Sequence, residues 1–145
     1  MWLYYFAIGI VIVSNVLYHI CQKSTPGSVN PVVALSVTYA TALVCSVMLL
    51  PLFPLQDGIL GSFKKLNWAS VALGIAIVGI EFGFLLAYRA GWDISIAQFF
   101  ATVMITLVLL PIGLLFYQEK LSLINIFGIL LCIGGFVLIN YKKTA

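Results

Sequence analysis

One carboxylate stands apart from every other charge in this chain. Glu81 lies well inside the run Val78–Ser95 (VGIEFGFLLAYRAGWDIS), and the segment holding it is long and apolar enough to cross a membrane. A charged side chain at bilayer depth costs at least ~2.5 kcal/mol to insert, so it faces a bundle interior or a water-filled cavity. There a carboxyl can exchange a proton or pair with a cation, and both are uses that coupled transport makes of such a group. The bland reading is a protonated or hydrogen-bonded glutamate that only fixes helix packing. Three further polar groups, Asn15, His19 and Gln22, sit at i, i+4 and i+7 with Tyr18 beside them, which is one helix face and the expected partner surface for Glu81. His19 reads either as a proton relay or as a hydrogen-bonded structural residue, and Asn15 equally suits a bond to another helix.

A second polar stripe comprises Ser95, Gln98, Thr102 and Thr106, then Gly113, all within a narrow arc of one helical wheel. It could line a cavity. Ser and Thr hydroxyls can instead turn back to the preceding carbonyls, so Gln98, with its two-ended amide, is the stronger candidate. The expected substrate or proton path is therefore Glu81, Asn15, His19, Tyr88, Trp92, Gln98 and Thr102, with Tyr88 and Trp92 on the path or at its mouth.

Other chemistries find no residues to carry them. The sequence has no Walker loop, no nucleophile motif, no HExxH and no paired acidic cluster. Cys21, Cys45 and Cys132 are scattered, with no CxxC or Cys/His ligand spacing, so three reduced thiols, no metal and no cofactor are expected. The reading is not an enzyme.

The elements that must position these groups follow from composition. In 145 residues, 63% are hydrophobic and 8% charged, and the mean hydropathy of +1.19 belongs to an integral membrane protein. The net charge of +3 comes from Lys and Arg residues at or beyond the ends of the apolar runs, which read as interfacial anchors and not as a nucleic-acid patch. The first run lacks a basic leader and reads as a retained span. About 20 apolar residues cross the hydrocarbon, and the chain offers five such runs, at about 2–21, 31–54, 68–88, 94–117 and 121–141. The expected fold is all-α, one domain over 1–145, an integral membrane bundle of five transmembrane helices. The turn cluster Gln22–Asn30 separates the first two, with Pro31 at the first helical position. Ile59 to Phe63 suits an interfacial segment, and Trp68 opens the third span at headgroup level.

On the third span Gly74, Glu81 and Tyr88 share one side, while Gly79, Gly83 and Ala87 form a small-residue face on the other, expected to receive a neighbouring helix. On the last span Gly128, Cys132 and Gly135, with Asn125 a turn earlier, read as a packing or dimer seam. Pro111 removes a backbone hydrogen bond from the fourth span and gives it a place to bend. Five spans put Lys64, Lys65 and Lys120 on one side and Lys23, Arg89, Lys142 and Lys143 on the other. So even a balance suits a protein that inserts both ways up and pairs antiparallel, or one whose orientation is fixed by other features.

From the third span onward the order of features becomes recognisable. Ala87-Tyr88-Arg89-Ala90-Gly91 ends one helix, and an apolar helix runs to Gln118-Glu119-Lys120-Leu121-Ser122. A glycine-bearing helix follows, from Ile126-Phe127-Gly128 to Gly134-Gly135-Phe136. This resembles the drug/metabolite transporter superfamily, specifically one EamA-type five-helix unit, with most of the match in about 68–143. The resemblance implies half of an inverted-repeat transporter fold, completed by a homodimer, preferably antiparallel. It also implies a multi-pass protein of the cell (inner) membrane that moves a small-molecule or lipid-like substrate through a cavity at the repeat interface, without a bound cofactor. In the small multidrug resistance family, a four-helix cousin, the first helix carries an essential glutamate. Asn15 falls at that place here, and Glu81 would supply a carboxylate from a different wall. The function expected is secondary active transport of a small organic solute by alternating access. A flippase subunit for lipid-linked sugars and a non-transporting membrane scaffold are the alternatives.

Overall fold

The computed structural model describes residues 2–53, 57–118 and 122–141. Helices account for nearly all of them: α1 (Trp2–Ser24), α2 (Pro31–Leu49) continued by a 3-10 turn (Leu50–Leu52), α3 (Gly58–Lys64), α4 (Trp68–Arg89), α5 (Ile94–Phe116) and α6 (Leu123–Tyr141). The starts are chemically marked. Asn30 accepts from the Val32 amide at 2.9 Å with Pro31 at the first helical position, and Asn67 accepts from the Ala69 amide at 3.0 Å ahead of Trp68. Each cap satisfies an amide that the helix itself leaves without a partner. The short α3 covers the segment expected along the interface, where Lys65 pairs with Asp57.

Among the described residues, α1, α2 with its 3-10 turn, α4 and α5 are long and apolar enough to cross a membrane, whereas the apolar stretch of α6, Leu123–Leu138, is shorter. The chain is therefore an all-helical, multi-pass membrane protein, with four helices of spanning length among the described residues. The helix bounds otherwise follow the expected runs. The Glu119–Leu121 joint, Lys142 and Lys143 lie outside the described residues.

The chain divides into two compact units, Met1–Trp92 and Asp93–Ala145. In the first, α4 packs on both α1 and α2. Its contact side carries Leu85, only 1% exposed, and Tyr88, with Glu81 and Phe84 half-buried nearby. In the second, α5 packs on α6, with Phe136 against Phe99 and Phe100 at ring separations of 6.3 and 5.2 Å. Large side chains elsewhere point outward, as they do where the surrounding medium is itself apolar.

Of the two faces expected on α4, only one is covered within the single chain. A Cβ built on Gly79 or Gly83 meets no atom within 4 Å among the described residues, and the same holds at Gly74, Gly128 and Gly135. The small-residue face is open, and the side bearing Glu81 and Tyr88 is the one that packs.

The end of α4 explains one glycine. Gly91 takes φ +96, its amide bonds the Tyr88 carbonyl at 3.2 Å, and the Trp92 amide bonds the Ala87 carbonyl at 3.1 Å. These are the two bonds of a Schellman motif, whose left-handed residue is glycine because a Cβ there crowds the next carbonyl. Gly91→Ala is expected to cost about 1–2 kcal/mol, read as a lower melting temperature with helix content unchanged by circular dichroism.

Candidate functional site

The expected α1 face does meet α4, through two bonds of different kinds. His19, 3% exposed, places Nδ1 2.7 Å from the Tyr88 hydroxyl. Around it the Tyr18, Phe84 and Tyr88 rings lie 4.9, 4.7 and 6.0 Å from the imidazole, mostly edge to face. One turn on, Gln22 Nε2 donates to the backbone carbonyl of Glu81 at 2.8 Å and to the Tyr18 hydroxyl at 3.3 Å. The Gln22 contact thus anchors the Glu81 main chain and leaves its carboxyl uncommitted.

That carboxyl is the exposed question of the site. Glu81 Oε2 is buried with no hydrogen-bond partner among the described residues, and so is the Tyr39 hydroxyl of α2. Both the Tyr39 and Tyr18 phenols lie within electrostatic reach of the carboxylate. Glu81 makes no ion pair among the described residues. From Trp68 to Glu81 is about 20 Å along the axis and from Glu81 to Tyr88 about 10 Å. A buried carboxyl with a free oxygen and no counter-charge either holds a proton or takes a cation.

Lys23 and Arg89, the basic residues at the ends of α1 and α4, are spent elsewhere. Lys23 Nζ donates to the Trp92 carbonyl at 2.8 Å and to that of Tyr88 at 3.5 Å, and sits 5.6 Å from the Tyr88 ring centroid. It reaches one carbonyl in the last turn of α4 and one just beyond it, where the helix dipole favours a cation. Arg89 in turn donates through Nη2 to the Pro26 and Val29 carbonyls, at 3.2 and 2.8 Å, tying α4 to the α1–α2 turn. From the sequence alone both read as generic interfacial anchors. The signal that could have found them is their placement, one in the last turn of α1 and one in the last turn of α4.

In the second unit, the middle of the α5 stripe faces α6. Thr102 and Thr106 line a cleft of about 500 Å³ with Phe99, Asn125, Gly128 and Cys132. Thr106 Oγ1 donates to the Thr102 carbonyl at 2.8 Å, the inert arrangement weighed for these residues, and Gln98 Nε2 donates to Thr102 Oγ1 at 3.4 Å. Further along, Thr106 and Gly113 border a second space of about 390 Å³ with Leu109, Ile112 and Tyr117. The expected α6 seam of Gly128 and Cys132 is thus one wall of a cleft.

The residues expected on a path therefore fall into two groups. His19, Glu81 and Tyr88 come together with Gln22, Tyr18 and Tyr39 in the first unit, where Trp92 contributes its carbonyl to Lys23 and Asn15 stands exposed on α1. Gln98 and Thr102 form a pair in the second. Among the described residues no three His, Cys, Asp or Glu side chains converge as a metal site would require. No family model, no curated protein and no solved structure matches this chain.

Proposed function

We propose that this chain is a secondary active transporter of a small organic solute, one EamA-type unit of the drug/metabolite transporter superfamily that works by alternating access as a homodimer in the cell membrane. The observation that carries the reading is the Glu81 carboxyl: buried at Oε2, unpaired among the described residues, and held on a membrane-length helix by bonds that use only its backbone. A glutamate kept solely for packing would be expected to spend its oxygens on the neighbouring helix. Here Gln22 and His19 make those structural bonds, which frees the carboxyl for a proton or a cation.

The apolar cleft between α5 and α6 favours one second reading. Its lining is mostly hydrocarbon, with Thr102, Thr106 and Asn125 as the polar points, and such a surface suits the tail of a lipid-linked sugar in a flippase subunit. Proteoliposomes carrying a pH-sensitive dye decide between transport and scaffold. Solutes that raise the melting temperature of the purified protein are expected to drive proton movement across the vesicle. A protein that binds such solutes and moves no protons with any of them would refute coupled transport.

A further inference from the structure

The class of solute follows from a second orphaned atom, and the argument rests on the transport reading above. Glu81 Oε2 and Tyr39 Oη are both buried without a hydrogen-bond partner among the described residues, and they come from α4 and α2, which pack on each other. Tyr18, from α1, has its oxygen engaged as an acceptor by Gln22 and keeps its own proton to donate. The helices thus present a carboxylate oxygen and a phenol oxygen, each able to accept a hydrogen bond, with Lys23 and Arg89 already bound to main-chain carbonyls.

A protonated primary or secondary amine can meet both oxygens with two N–H protons and brings the positive charge that the carboxylate lacks. A quaternary ammonium ion brings the charge alone, and leaving two buried polar groups unmet is what makes a site reject an analogue lacking the matching donors. We propose that Glu81 and Tyr39 form a binding site for protonated primary and secondary amines that discriminates against quaternary ammonium ions of the same shape.

The test uses the intact protein in lipid nanodiscs and a series of constant charge: benzylamine, N-methylbenzylamine, N,N-dimethylbenzylamine and benzyltrimethylammonium, at a pH where all are cationic. Affinity from ligand-induced melting shifts should hold across the first two members and fall about tenfold or more by the last. In Tyr39→Phe the fall should shrink to about twofold, with the ligand-free melting temperature unchanged or raised, since an orphaned hydroxyl has been removed. Equal affinity along the series in the parent protein overturns the assignment, and that arm needs no variant to fold. A discrimination that survives Tyr39→Phe overturns it too. In either case the transport reading stands if another solute drives proton flux that Glu81→Gln abolishes, and it falls with the assignment if no solute does.

Discussion

Glu81→Gln is expected to insert and fold like the parent protein and to lose the proton-coupled component of solute flux down to the passive leak. The two halves of this expectation have separate causes. Insertion is not harmed, because an uncharged amide of the same shape removes the cost of a carboxylate at depth. Folding is not harmed, because Gln22 bonds the backbone carbonyl of residue 81 and not its side chain, so the α1–α4 link at 2.8 Å survives the substitution. What the amide cannot do is take and release a proton. Flux in proteoliposomes across a series of external pH values reads the change. Retained pH dependence would remove Glu81 from the mechanism, and collapse of the fold would assign it to packing.

The largest structural effect is expected at Leu85, the most buried side chain of the first unit, at 1% exposure. Leu85→Ala opens a cavity on the side of α4 that packs, and about 2 kcal/mol of stability should be lost, at the low end of core truncations. A soluble protein would lose more, since here the removed methyl groups leave one hydrocarbon medium for another. Leu86, the next residue, is 43% exposed and supplies the control. Leu86→Ala should change stability by no more than about 0.5 kcal/mol. Reversible unfolding in mixed micelles compares the two, and equal effects would mean that α4 is oriented differently from the description above.

Helix positions were readable because apolar runs and polar breaks are local. Gln22–Asn30 announces a turn, Pro31 and Trp68 sit at the helix starts that Asn30 and Asn67 cap, and α1 to α5 begin or end within a few residues of expectation. The α1 face was readable for a related reason, since three polar groups at helical spacing mark a side whatever covers it. The rotation of α4 was not. Its residues are apolar nearly all round, so periodicity gives no preferred side, and the glycines of the open face looked as suitable as the rings opposite. Nor could spacing tell that Gln22 would take a carbonyl and leave the carboxyl alone. Those contacts join residues 59 to 69 positions apart, and they depend on how two helices are turned toward each other.

Pro111, enclosed within α5, leaves in that helix something no side chain supplies. Lacking an amide proton, it cannot return the bond that the Leu107 carbonyl would otherwise receive from four residues on. Leu107 is itself one of the residues bordering the α5–α6 cleft. The threonine at 106 spends its hydroxyl on its own helix, whereas the Leu107 carbonyl has lost its usual helical donor. A hydrogen-bond acceptor built this way is silent in any scan that truncates side chains one at a time. It disappears only when the imino acid is replaced, which closes the ladder and stiffens the helix in the same step.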